Sequence, residues 1–309
     1  MTAIPTDVET TIRGLLERAC PGVHIEAVYP LHAGYTSRQW VADTDEGRLL
    51  VKVPQRNRDP QHLRRLMASV QVAGEHGIPV VRYRRLVPHD DALGGPVLIQ
   101  EFQDGDAAGD LWESLDEGQR KVLCRDLGDI VGRLHLITGP AFGDVLGGGR
   151  AAMLEEAVDA ELTGLLEAAD SDMLGDPAAL RKVVRTAVSR LDGTANQPTL
   201  NHGDLWLPNF LVTGGRITCA LDFEHATYTE RFRDFGKLNE HVFDKFPEGR
   251  GAFLESYAAA CALPADWEQR VDLANVLHAL TMHVYFLQWN PEWAPQYAQQ
   301  ARDWLAQRA

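Results

Sequence analysis

Leu200-Asn201-His202-Gly203-Asp204-Leu205-Trp206-Leu207-Pro208-Asn209-Phe210-Leu211-Val212, followed after a short hairpin by Leu221-Asp222-Phe223-Glu224, is the stretch on which the reading of this chain turns. A loop that turns back on itself presents residues i and i+5, here Asp204 and Asn209, to one cleft. The strand-like runs 210–213 and 216–221, joined through Gly214-Gly215, then return a second carboxylate, Asp222. Phosphoryl transfer needs those groups: a carboxylate that orients the attacking hydroxyl and takes its proton, and hard oxygen ligands for magnesium. Asp and Asn also serve as ordinary turn formers. The joint pattern, not any single residue, carries the chemical reading.

Outward from this loop the chain changes texture near residue 102. Before it, short strand-like runs at 25–29, 39–44, 49–53, 82–87 and 97–102 are separated by turn formers such as Asp45-Glu46-Gly47, and the spacing of Leu63, Leu66, Met67 and Val70 predicts a helix over 60–76. An amphipathic helix carrying Val8, Ile12, Leu15 and Leu16 opens the chain. After the polar stretch 103–110, helices are expected around Leu123 to Leu134 and over 151–169, 177–191, 251–262, 267–288 and 293–307. The expectation is an α+β chain of two lobes, a mostly antiparallel sheet lobe over 1–102 and a mainly helical lobe over 103–309 with one embedded hairpin.

His202-Gly203-Asp204 through Asn209, with Asp222-Phe223-Glu224 and the helix-ending Gly132-Arg133-Leu134-His135, resembles the aminoglycoside phosphotransferase and choline kinase-like family, bacterial relatives of protein kinases. The resemblance runs from about residue 34 to 234 and implies a two-lobed protein-kinase-like fold. It implies transfer of the γ-phosphate of ATP, with GTP left open, to a small-molecule hydroxyl. It makes Asp204 the catalytic aspartate, and Asn209 and Asp222 the Mg2+ ligands. Asp234-Phe235-Gly236 spells the protein-kinase magnesium motif letter for letter. Yet Asp222 follows Asn209 by 13 residues and Asp234 by 25, so Asp222 takes the metal and Asp234 is read as a loop-supporting or helix-starting residue.

The nucleotide side is expected in the first lobe. Lys52 interrupts the apolar strand Leu49-Leu50-Val51-Lys52-Val53, where a charge is expected to point at an anionic ligand. Ala33-Gly34-Tyr35-Thr36-Ser37 lies between two strands and can close on phosphates with backbone amides, Gly34 and Ser37 being the candidates. Gln100, Glu101 and Phe102 resemble the hinge in which the family pairs adenine with backbone groups. One departure stands out: the family's glutamate on the first-lobe helix, partner of the lysine, is missing between Leu63 and Gln71, leaving Asp59 and Glu75 as substitutes.

For the acceptor, Glu224, Glu230 and Asp234 are candidate amine ligands, and Trp206, Tyr228, Trp289 and Trp293 candidate stacking surfaces. The leading expectation is an antibiotic kinase of aminoglycoside type. Metabolic kinases for choline, homoserine, methylthioribose or ketosamine-like alcohols share every motif. Two further readings stay open, a metal-dependent hydrolase built on His202, Asp204, Asp222 and His225, and a catalytically silent nucleotide-binding protein.

Composition sets the outer bounds. With 309 residues, 45% hydrophobic and 24% charged, the chain can bury a sizeable core. A formal charge of −14 opposes nucleic-acid binding and favours cationic ligands. No apolar run reaches the roughly 20 residues of a membrane span, and the first residues lack the basic start and apolar core of a signal peptide. A cytoplasmic protein without membrane or nucleic-acid partners is expected. Cys20, Cys124, Cys219 and Cys261 have no zinc spacing and read as small core residues.

Overall fold

The computed structural model describes residues 6–32 and 37–308. They form two compact units, the first comprising residues up to Gly105 together with Thr218–Glu224, the second Asp106–Ile217 and His225 onward.

In the first unit, β1 (Ile25–Leu31), β2 (Ser37–Thr44), β3 (Gly47–Pro54), β4 (Tyr83–Asp90) and β5 (Gly95–Glu101) make one sheet in the order β1-β2-β3-β5-β4, with antiparallel neighbours throughout. The β2–β3 turn closes with Thr44 opposite Gly47, and this register places Lys52 opposite Gln39 on one side and Leu98 on the other. β5 is buried along nearly its whole length, as expected for an inner strand that reads as an unbroken apolar run. Helix α1 (Thr6–Ala19) lays Ile12, Leu15 and Leu16 on Val51, Val97 and Ile99 to form the core. Helix α2 (Pro60–Glu75) starts where Asp59 accepts the Gln61 N–H at 2.9 Å and proline takes the first helical position, and it buries Leu63, Leu66, Ser69, Val70 and Ala73.

The second unit is mainly helical. Its elements run β6 (Asp106–Ala107), α3 (Ala108–Leu111), α4 (Glu117–Leu134), α5 (Leu154–Ala168), α6 (Ser171–Leu174), α7 (Pro177–Ser189), β7 (Thr199–Asn201), β8 (Phe210–Thr213), β9 (Arg216–Ala220), β10 (Thr227–Thr229), α8 (Phe235–Leu238), α9 (Glu248–Ala260), α10 (Trp267–Trp289) and α11 (Ala294–Ala306). β9 begins in this unit and ends in the first. β7 pairs with β10, and β6 with β8. Helix α4 opens with a capping box between Asp116 and Gln119 and packs along α9 so closely that a Cβ on Gly128 would lie 2.3 Å from the Phe253 carbonyl oxygen. Leu162, Val184, Leu277, Leu280 and Ala298 anchor the core shared by α5, α7, α10 and α11.

The expected strands and long helices are all present, with ends shifted by a few residues. The short β6, β7 and β10 and a π-helical turn at Asn239–Phe243 were not expected. No described helix is long and apolar enough to cross a membrane.

Candidate active site

Within the second unit, Asp204 sits in the loop between β7 and the 3-10 turn Leu207–Asn209 that leads into β8. The loop is tied down from both sides. Gly203 has φ +80°, and a Cβ there would stand 2.4 Å from the His225 carbonyl oxygen. Only glycine satisfies both conditions. Gly203→Ala is expected to cost at least about 1–3 kcal/mol and to abolish most activity, read by thermal unfolding and turnover together. Normal stability with normal turnover would show that the loop can adopt another path.

Asp234 braces the loop from below. Its two carboxylate oxygens accept the N–H groups of His202 and Gly203, each at 2.8 Å, and the His135 Nε2–H at 3.2 Å. The Asp234 N–H in turn donates to Asn201 Oδ1 at 3.1 Å. His135, at the end of α4, accepts the Tyr257 hydroxyl through Nδ1 at 2.9 Å. Burial alone would raise the Asp234 carboxyl, but its bond to His135 and the histidine and amide partners outweigh burial and hold it below the ordinary value. Burial keeps His135 neutral. His202 is fully buried, and its Nδ1 accepts the Asp204 N–H at 3.2 Å.

The Asp204 carboxylate is held in place by two groups. Asn209 Nδ2 donates to Asp204 Oδ2 and to its carbonyl oxygen, both at 2.9 Å, and Lys237 Nζ lies 2.5 Å from Oδ1. Burial works to raise the Asp204 carboxyl, yet the Lys237 charge and hydrogen bond, helped by His202 and His225, bring it below the ordinary value. It is a carboxylate at neutral pH. With Asn209 Nδ2 turned to Asp204, the Asn209 Oδ1 is the atom left for a hard cation.

The first unit holds the other candidates. Lys52 is half-buried on β3, and among the described residues no acid pairs with it. Asp59 is spent capping α2 and Glu75 accepts from Gln71 at 2.8 Å, so neither replaces the missing glutamate. Leu66 fills the buried helix face instead. One turn from the start of α2, His62 faces Glu224 at 3.7 Å. Asp222 is exposed and has φ +62°, unique among the described non-glycine residues. Such backbone strain persists where surroundings impose it and concentrates at functional sites. Among the described residues no cation pairs with its carboxylate, which suits a metal ligand. Ser37 opens β2 opposite Pro54, while Gly34 lies outside the described residues. At the hinge candidate, Gln100 is buried, and the N–H groups of Glu101 and Phe102 donate to the Arg82 and Arg48 carbonyls at 2.8 and 2.9 Å. The Glu101 carboxylate takes Arg84 at 2.9 Å.

Two expectations for the acceptor side need correcting. Glu230 is buried, pairs with Arg270 at 3.1 Å and accepts the Phe232 N–H at 2.7 Å. Asp234 is buried and fully engaged with the loop. Neither carboxylate is available to an amine. Glu224 belongs with the first unit, beside His62. Conversely, Lys237 escaped notice in the sequence, although a signal existed. It lies three residues beyond Asp234, so one helical turn that braces the loop through its aspartate also presents its lysine to the loop.

Beyond Lys237 the same unit carries a polar knot on the π-helical turn. Glu240 accepts from the Tyr297 hydroxyl and from His278 Nε2, the latter at 2.6 Å. Burial would raise its carboxyl, but these hydrogen bonds bring it down to about 2, while burial lowers His241 to about 4. Both groups release protons more readily in the folded chain than at their ordinary values of 4.5 and 6.5. The unfolded chain therefore binds more protons, and stability falls on acidification. The loss should come first between pH 6.5 and 4 through His241, then between 4.5 and 2 through Glu240. Urea midpoints measured across this range should show it, and His241→Gln should flatten the upper part. An unchanged slope in that variant would assign the acid sensitivity elsewhere.

The sequence matches the model of the phosphotransferase enzyme family (APH) over residues 28–273. No curated protein matches it. Solved structures share its fold at low identity. Macrolide 2'-phosphotransferase MphH from Brachybacterium faecium is 18% identical, with 97% of this chain and 98% of that one covered at a TM-score of 0.63. A thermostable aminoglycoside phosphotransferase APH(4)-Ia mutant, in a ternary complex with ADP and hygromycin B, is 13% identical, with 98% and 99% covered and a TM-score of 0.69. ADP-bound aminoglycoside phosphotransferase APH(2'')-Ib is 17% identical, with 95% and 97% covered and a TM-score of 0.64. At these identities the likeness is one of fold.

Proposed function

Because the chain belongs to the phosphotransferase enzyme family, we propose that it transfers the γ-phosphate of ATP to a hydroxyl of a small molecule, with Asp204 as the base. The observation that carries this reading is the state of Asp204: an ionised carboxylate, fixed by Lys237 and Asn209 on a loop that Asp234 holds rigid. Each Asp204 oxygen keeps a lone pair beyond the bond it already accepts. The acceptor hydroxyl donates there, which aims its oxygen at the γ-phosphorus. The new O–P bond forms as the bond from phosphorus to the β,γ-bridging oxygen breaks. ADP leaves with that electron pair, and the hydroxyl proton passes to Asp204.

Asn209, through Oδ1, and Asp222 would hold Mg2+, whose charge offsets that of the phosphates when bound. Lys52 binds phosphate oxygens, and Gln100 to Phe102 border the base. Catalysis is then mainly positional and electrostatic, because a low-pKa carboxylate is a weak base and a good orienting group. Antibiotic and metabolic acceptors share this chemistry. An ATP-consumption screen over aminoglycosides, macrolides, nucleosides and metabolic alcohols, with the phosphate located by mass spectrometry, tests the reading. Magnesium-dependent phosphorylation of a hydroxyl supports it. ATP and Mg2+ binding without turnover on any acceptor would favour the silent nucleotide-binding protein instead.

A further inference from the structure

On the strength of the phosphotransfer reading, we propose that Lys237 is a second catalytic residue, which holds Asp204 before transfer and binds oxygens of the phosphoryl group as transfer proceeds. All the groups involved lie in the second unit. Lys237 Nζ is 2.5 Å from Asp204 Oδ1, and the two side chains are 19% and 20% exposed, so the pair is open to a reactant. The lysine is fixed from behind. Helix α8, from which it projects, follows directly on the Asp234 that braces the loop. Its Gly236 lies so close to α10 that a Cβ there would stand 2.6 Å from His278 Cβ and 2.9 Å from the Ala274 carbonyl oxygen. On its flank the ammonium stands 5.4 Å from the Trp206 ring centroid, an aromatic face that attracts a cation without neutralising it. Glu240, three residues further on, is engaged by His278 and Tyr297. Among the described residues, Asp204 is the one acid paired with Lys237.

The chemistry itself brings the phosphoryl group to this lysine. An acceptor hydroxyl that donates to Asp204 lies about 2.6–3.2 Å from the carboxylate, and phosphorus bonds to that same hydroxyl oxygen. The phosphoryl oxygens are then two bonds from an atom in contact with Asp204, and Lys237 already touches the same carboxylate. An ammonium carries three N–H donors. Asp204 takes one, which leaves two for phosphoryl oxygens. The charges change hands in the same step. Before transfer, Lys237 and the Asp204 carboxylate neutralise each other. As the acceptor oxygen bonds to phosphorus and the bond to ADP breaks with its electron pair, the hydroxyl proton passes to Asp204 and the ion pair is lost. Negative charge stays on the phosphoryl oxygens of the new ester. A partly buried ammonium left without a counter-ion is costly, and those oxygens replace the carboxylate as its partner. The contact is stronger in the transition state than before it, which is the condition for raising kcat.

The test uses the full-length protein and two probes that need no identified acceptor. Water stands in for the acceptor in slow ATP hydrolysis, and Mg-ADP with tetrafluoroaluminate imitates the planar phosphoryl group between its two oxygens. Lys237→Met should lower kcat for hydrolysis about 10²-fold, the usual loss for one donor aimed at developing charge, with little change in KM for ATP. In the same variant the gain in Mg-ADP affinity brought by tetrafluoroaluminate should shrink about tenfold or more, while affinity for Mg-ADP alone and melting temperature stay close to wild type. A residue that acted only through Asp204 would lose its effect once the carboxylate was gone. In the Asp204→Asn background, therefore, Lys237→Met should still weaken the fluoroaluminate complex about tenfold. A complex indifferent to Lys237 in that background would reduce the lysine to a support for Asp204, overturning the proposal and leaving phosphotransfer standing. A wild-type protein that binds Mg-ADP, gains nothing from tetrafluoroaluminate and hydrolyses no ATP would count against phosphotransfer itself, and the proposal would fall with it.

Discussion

Asp204→Asn should lower kcat/KM by about 10²–10⁴-fold, the usual contribution of a positioned base, while melting temperature and nucleotide affinity stay close to wild type. The substitution is nearly isosteric. Its amide oxygen still accepts from Asn209 or from Lys237, whose ammonium keeps access to solvent at 19% exposure. What is lost is the second anionic oxygen, and with it the group that orients and deprotonates the hydroxyl. The loss should fall on kcat, because the acceptor hydroxyl and the proton matter most in the transition state. A variant within tenfold of wild type would place the base elsewhere. A variant that also loses nucleotide affinity would show that Asp204 holds the metal, against the assignment to Asn209 and Asp222.

Asp234→Ala should destabilise the protein by about 3–5 kcal/mol, because removing one member of a buried, charge-assisted cluster leaves the others unpaired. Three donors lose their acceptor at once: the His202 and Gly203 N–H groups and His135 Nε2–H. The loop they form carries Asp204, so activity should fall with stability. Asp234→Asn separates the two effects. It retains one acceptor oxygen but turns an NH2 toward a backbone N–H, so the fold should survive while turnover drops. If Asp234→Ala melted like wild type, the loop would owe its shape to Gly203 and β7 alone. A loss of Mg2+ affinity with normal stability would restore the kinase-like metal role that spacing argues against.

Much of the architecture was legible in the sequence because it is written in local periodicity. β3 is an apolar run interrupted by Lys52, α2 repeats its apolar residues at helical spacing after Asp59-Pro60, and Gly214-Gly215 marks the hairpin between β8 and β9. These signals depend on neighbours a few residues away, so they survive without tertiary information. The pairing of Asp204 with Asn209 was legible for the same reason, since five residues of one loop close on themselves. Composition alone says little about the acceptor. An overall charge of −14 suggests a site hospitable to amines, but charge at a site depends on which carboxylates are already engaged.

The sequence by itself determined the order of elements, the loop from His202 to Asn209 and the spacing that separates Asp222 from Asp234. Only the tertiary structure decided what each acid does. Glu230 is consumed by Arg270, forty residues further along, Asp234 by two amides more than thirty residues before it, and Glu240 by His278 and Tyr297. Asp222 bears the backbone strain and remains open to solvent. Hydrogen bonds and desolvation act through space over a few ångströms, and contacts between residues tens of positions apart leave no periodic trace in a single sequence.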